Sequence, residues 1–198
     1  MVLSKLYDKA LLFVSQAHRQ QIRKGAQIPY LSHLLSVSAL VMECDGDEEQ
    51  AIAGLLHDTI EDCSDQFGGA EATAAEIERL FGGRVRRIVE GCTDAVVKPK
   101  PPWKARKQAY LNSLAKKPED TLLVSCCDKL HNARAIVADV EEIGVEVFDR
   151  FSAGREQTLW YYGALAERMQ AVMGSSERAP RMLGVAVAQM RVLAEQAE

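Results

Sequence analysis

Apolar residues recur three and four positions apart along most of the chain, the spacing of one buried helix face. Between Ser4 and about Arg19, Leu6, Ala10, Leu11, Val14 and Ala17 form such a face, with Lys5, Lys9 and Gln16 among the polar positions. Gly25 and Pro29 then mark a loop, RKGAQIPY, that opens on Arg23-Lys24. The next helix is predicted over His33–Cys44, with Ser32 as N-cap and Leu34, Leu35, Val37, Leu40 and Val41 on its apolar face. Asp47 and Gln50 predict a capping box, with Asp in place of the usual Ser or Thr, for a helix running through Leu55-Leu56. Thr73 with Glu76 predicts a second box, opening a helix that ends at the Phe81-Gly82-Gly83 break. Val85, Ile88 and Val89 predict a short helix stopped by Gly91.

The pattern then lapses. KPKPPWKARK, residues 98–107, has three prolines, five cations and no acid, and the prolines prevent helix before about Trp103. It reads as a solvated loop or as a basic flap over an anionic substrate. A helix follows from Trp103 to about Lys116. Pro118 with Glu119 and Asp120 is a start signal, proline first and acids in the first turn. The helix it starts, TLLVSCCDKLHNARAIVADV, is apolar until Asp128 and then polar at Asp128, His131, Asn132 and Arg134. Two helices close the chain, Ala153–Met173 and Ala179–Glu195, the first carrying Trp160-Tyr161-Tyr162 as predicted core. No stretch alternates as a strand does, and there is no internal repeat. The expected fold is all-α: one domain over residues 1–198, a bundle of roughly eight to ten helices.

Composition narrows the class. Of 198 residues, 47% are hydrophobic and 26% charged, an ordinary globular balance. A net charge of −4 argues against a general nucleic-acid binder. The N-terminus, MVLSKLYDKALLFVSQAHRQ, carries charges throughout and does not read as a signal peptide, and no apolar run reaches the length of a membrane span. The five cysteines include no C-x-x-C pair, and Cys126 and Cys127 are adjacent, so all are expected as reduced thiols in a cytoplasmic protein.

Ala51–Cys63, AIAGLLHDTIEDC, breaks the core pattern chemically. An apolar run ends in His57, Asp58, Glu61 and Asp62, although acids are almost never buried without a partner. His-Asp is a metal-ligating pair, and His33 and Asp128 complete a candidate set of two imidazoles and two carboxylates. Each of these residues taken alone also suits a hydrogen-bonded core histidine or a solvated helix end. The mixed set suits Mn²⁺, Fe²⁺ or Zn²⁺; it is too nitrogen-rich for Ca²⁺ and lacks the thiolates of structural zinc.

The order H…HD…D resembles the signature of the HD-domain metal-dependent phosphohydrolases. The segments QIRKGAQIPYLSHLLSVSAL, AGLLHDTIEDC, EIERLFGGRVRRIVEGCTD and CDKLHNARAI, spread over residues 20–137, resemble more narrowly the hydrolase domain of the RelA/SpoT family. No synthetase half follows within 198 residues, so the chain is similar to the stand-alone small alarmone hydrolases. The resemblance implies hydrolysis of the 3′-pyrophosphate of ppGpp or pppGpp, releasing pyrophosphate, usually with Mn²⁺ and with Fe²⁺ or Zn²⁺ as alternatives. It implies His33, His57, Asp58 and Asp128 as metal ligands and Glu61-Asp62 as the acid/base pair. It implies Arg23 and Lys24 against the base, Tyr30, Asn132 and Arg134 lining the nucleotide pocket, and the run Lys98–Lys107 on the phosphates. The expected partner is a small nucleotide, with neither nucleic acid nor membrane.

Two departures bear on the base. Gly25-Ala26 stands where the family commonly has a Ser-Gly-type turn, and Ala135 where many members have Thr. The choice between ppGpp and adenosine analogues such as pppApp therefore stays open, as do the physiological metal and the oligomeric state. Two other readings compete: an HD phosphohydrolase acting on another nucleotide, and a non-catalytic alarmone sensor. A sensor is expected to have lost a ligand or one of Glu61 and Asp62, and all are present.

Overall fold

Ser4 caps the first helix. Its Oγ accepts the Leu6 N–H at 3.1 Å, and α1 runs over Lys5–Ala17. In the computed structural model, which describes residues 1–93 and 101–196, nine more α-helices follow. They are α2 (Leu31–Glu43), α3 (Glu48–Leu56), α4 (Thr59–Asp62), α5 (Ala70–Phe81), α6 (Gly83–Cys92), α7 (Trp103–Ser113), α8 (Glu119–Ile143), α9 (Gly154–Met173) and α10 (Arg178–Gln196). Among the described residues there is no named strand, only a single antiparallel bridge from Ile22 to Pro29, so the expected all-α class holds. Of the basic run, residues 98–100 lie outside the described residues, and α7 begins at Trp103, directly after Pro102.

The predicted Asp47–Gln50 capping box is present in both directions, at 3.0 and 2.9 Å. Three local expectations fail. Ser32 is not an N-cap: Tyr30 is already helical (φ −59, ψ −28), α2 starts at Leu31, and no side chain caps it. Thr73 does not cap α5, because the helix begins earlier, after Gly69, and the Thr73 hydroxyl donates back to the Gly69 carbonyl at 2.8 Å. Its expected partner, Glu76, instead pairs with Arg79. Gly91 does not stop α6, which continues to Cys92. A Cβ at Gly91 would stand 2.6 Å from Thr121 Cγ2, so the glycine is there for the close approach of the α8 N-terminus.

The chain divides into two compact units, Met1–Lys100 with Pro118–Cys127, and Pro101–Lys117 with Asp128–Glu198. In the first, α3 lies against α1, α2 and α6, and α5 packs on α6. Leu34, Val37, Ile52, Leu55, Leu56, Ile77 and Ile88 are fully buried there. The start of α8 is held to this unit by charge: Asp120 accepts from Arg84 at 3.2 Å and from Arg87 at 2.8 Å, while Arg84 also reaches Asp47 and Glu49. In the second unit α9 packs on α10 and α7 around Leu165, Met169, Leu183 and Met190. The predicted aromatic core is there: Tyr161 and Tyr162 are buried, and Trp103 sits edge-on to Trp160 and Tyr161. No helix among the described residues is long and apolar enough to cross a membrane.

Candidate metal centre

The centre is built where α2 and α3 approach most closely. A Cβ at Gly54 would lie 3.1 Å from Ser38 Cα, so the absence of a side chain lets the two backbones meet. A buried relay pins the contact: Tyr7 donates to Ser38 Oγ at 2.8 Å, and Ser38 donates to the Ala51 carbonyl at 2.8 Å. This pairing sets His33 on α2 opposite His57, the C-cap of α3. The helix runs through Leu55-Leu56 as expected and ends there. The chain breaks at His57-Asp58 and resumes as α4, with the Asp62 N–H donating to the Asp58 carbonyl at 2.9 Å. The break turns Asp58 back toward the imidazoles.

His33 Nε2, His57 Nε2 and an Asp58 oxygen all lie within 4.8 Å of one another. The edges are 3.3 Å between the two nitrogens, 3.0 Å from His57 to Asp58 and 3.8 Å from His33 to Asp58. Ligand atoms about 2.1 Å from one ion stand roughly 3.0–3.4 Å apart, so this triangle is near the size a divalent cation needs. The tautomer also fits. His57 Nδ1 lies 2.9 Å from the Gly54 carbonyl, which can only accept, so Nδ1 carries the proton and neutral His57 offers its Nε2 lone pair to the centre. Both histidines are buried and Asp58 is partly open, at 23% side-chain exposure.

Tyr30, expected on the nucleotide pocket, donates its hydroxyl to Asp58. Glu61 is half-buried and Asp62 is exposed, both on the turn that follows Asp58. Partial burial of its carboxyl raises the Asp62 pKa from its ordinary value. A hydrogen bond from Gln21 opposes that shift, and the charges of Asp58 and Glu61 add to it. Arg23 and Lys24 begin the loop closed by the Ile22–Pro29 bridge. Cys63, 3.5 Å from His18, is no reactive thiolate, since burial pushes its pKa up to about 11.

The other predicted residues belong to the second unit. Asp128 is buried, and its two oxygens accept from Lys129 and Asn132, each at 2.6 Å. Arg134, two residues past Asn132 and so about 200° around the helix, faces away from that pair. It lines a cleft of ≈ 230 Å³ with Val137 of α8 and Arg181, Val185 and Ala186 of α10. Sequence reasoning did not single out His18, Gln21 or Lys129. For His18 a signal existed: Ala10, Val14 and His18 continue one stripe at four-residue spacing, which marks its burial but not its partners.

The family described as HD domain matches residues 10–159. The GTP pyrophosphokinase rsh of Brucella melitensis is 36% identical over 167 residues, 83% of this chain and 20% of that protein. The guanosine-3′,5′-bis(diphosphate) 3′-pyrophosphohydrolase of Aquifex aeolicus is 30% identical over 163 residues, 82% of this chain and 21% of its own length. The pyrophosphohydrolase MESH1 of Xenopus tropicalis, named for the same substrate, is 36% identical over 129 residues, 64% of this chain and 66% of that one. A solved structure described as a metazoan ortholog of SpoT that hydrolyses ppGpp superposes with a TM-score of 0.75 at 25% identity, over 98% of this chain and 99% of its own. The chain thus spans about a fifth of the length of the long curated relatives it matches.

Proposed function

The chain belongs to the HD-domain family, and from that premise we propose that it is a divalent-metal-dependent hydrolase that removes the 3′-pyrophosphate of an alarmone nucleotide. The substrate class is ppGpp and pppGpp, with the adenosine analogues as the alternative base. The names of the MESH1 and Aquifex relatives and the description of the ppGpp-hydrolysing ortholog support this reading. The family match crosses both units, which supports treating residues 1–198 as one hydrolase domain. The observation that carries the proposal is the convergence of His33, His57 and Asp58, with two acids on the next turn.

His33, His57, Asp58 and Asp128 are the proposed metal ligands, with Mn²⁺ as the proposed ion. When bound, such an ion lowers the pKa of water and offsets charge on the attacked phosphoryl group. The protein's own groups do the rest. Glu61 orients the water and takes a proton from it as its oxygen bonds to the phosphorus on the 3′-oxygen. As that P–O bond breaks, the 3′-oxygen takes a proton, and Asp62 is the group proposed to supply it. Arg23 and Lys24 are proposed against the base, and Tyr30, Asn132 and Arg134 along the nucleotide. The basic run 98–107 is proposed for the phosphates. The five free thiols fit a reducing compartment, and the proposal places the protein in the cytoplasm.

The test is a nucleotide panel with Mn²⁺-loaded protein and separate detection of pyrophosphate and orthophosphate. Pyrophosphate from a 3′-pyrophosphorylated nucleotide is expected. Orthophosphate alone, or turnover only of other nucleotides, would overturn the substrate assignment. Tight alarmone binding without turnover at any divalent metal would make the protein a sensor.

A further inference from the structure

A second set of polar contacts lies beside the acids and centres on Gln21. Gln21 Nε2 donates to Asp62 Oδ2 at 2.7 Å. The Gln21 side-chain oxygen Oε1 accepts from His18 Nδ1 at 2.5 Å, so the side-chain amide is held at both ends and its orientation is determined. His18 is itself fixed. It is 2% exposed, its Nε2 lies 3.3 Å from the Thr59 hydroxyl, and its ring stacks on Tyr30 with centroids 5.8 Å apart.

The backbone joins these contacts to the loop bearing Arg23 and Lys24. The Tyr30 N–H donates to the Gln21 carbonyl at 2.8 Å, and the Arg23 N–H to the Ile28 carbonyl at 2.9 Å. Residues 21–30 therefore form a small hairpin, and the two residues at its base each hold one acid of the 58–62 turn. Tyr30 holds Asp58, and Gln21 holds Asp62.

We propose that Gln21, backed by His18, is a positioning residue that aims the Asp62 carboxyl into the reaction, and that the hairpin 21–30 thereby sets the loop and the acid in one register. This rests on the hydrolase reading above, in which Asp62 handles a proton. Exposed carboxylates ordinarily swing among rotamers, and a donor that selects one of them removes that freedom before substrate arrives.

The experiment compares wild type, Gln21→Leu, Asp62→Asn and the double variant, using whichever nucleotide the wild type turns over. Gln21→Leu is expected to lower kcat about tenfold, with KM and Mn²⁺ affinity unchanged. Added to Asp62→Asn, it is expected to cost nothing further, because its effect runs through Asp62. Independently of activity, the Asp62 carboxyl is titrated by ¹³C NMR in the metal-free protein. Asp58, Glu61, Cys63 and His18 face that carboxyl and are present in both forms. Loss of the donor is expected to move its titration upward by more than about half a pH unit. Gln21→Glu keeps the shape, replaces the donor with a like charge, and is expected to move it further. An unmoved titration in both variants, or losses that multiply fully in the double variant, overturns the role of Gln21. A wild type that releases no pyrophosphate but cleaves another nucleotide overturns the substrate assignment and leaves the Gln21 test intact.

Discussion

The chemistry at the residue scale is a division between atoms that can bind metal and atoms that hold those atoms still. His57 serves as a ligand candidate because the Gly54 carbonyl accepts its Nδ1–H and leaves Nε2 free, and Asp58 is held in place by the Tyr30 hydroxyl, which donates to it. Tyr30→Phe is accordingly expected to weaken Mn²⁺ binding by about tenfold, the usual effect of losing a group that orients a ligand. Calorimetric titration with Mn²⁺ checks this; a change confined to KM for the nucleotide would instead assign Tyr30 to the pocket alone. The His57-Asp58 and Glu61-Asp62 pairs are expected to separate cleanly. Asp58→Ala should lose metal binding and turnover together, whereas Glu61→Ala should keep the metal and lose roughly 100-fold or more in kcat. A Glu61→Ala enzyme at wild-type rate would remove Glu61 from the mechanism.

Helix packing decides where those atoms meet. The α2–α3 contact depends on Gly54, whose missing Cβ faces Ser38 backbone atoms that cannot rotate out of the way. Gly54→Ala is expected to separate the helices by a few tenths of an ångström, destabilise the fold by about 1–3 kcal/mol, and reduce metal affinity along with stability. Denaturant unfolding and metal titration of the same variant check both parts. The start of α8 carries a pH signature. The Arg87 guanidinium, with Arg84, holds Asp120 down to about 2. Its folded pKa is below the unfolded value of about 3.9, so the stabilisation is fully present above that value and is lost as pH falls toward 2. Asp120→Asn is expected to cost roughly 1 kcal/mol at neutral pH, and its stability curve should converge on wild type near pH 2. Parallel curves over that range would show that the ion pairs do not contribute.

Across the whole molecule, metal binding should appear as thermal stability. At a free ion concentration about 100 times Kd, linkage adds about 2.7 kcal/mol, or about 5–10 °C in Tm for a chain of this size. Mn²⁺ is expected to produce that rise in wild type and a chelator to reverse it, with Asp58→Ala and Asp128→Ala showing none. A full shift in Asp128→Ala would remove Asp128 from the ligand set. What was legible in advance follows from the range of each signal. Helical periodicity, the Asp47–Gln50 box, the Pro118 start and the His-Asp and Glu-Asp pairs are written within one or two turns, so the sequence by itself determined the all-α class and the types of the site residues. Ser32 and Thr73 carried the same local cap signals and lost, because Tyr30 and Gly69 had already started those helices. The break of α3 at His57, the reason for Gly91, the contact of Tyr30 with Asp58 and that of Gln21 with Asp62 were decided only by tertiary structure. Each joins groups far apart in sequence or depends on what packs against a helix, and no local pattern encodes the distance between two side chains that only the packed core brings together.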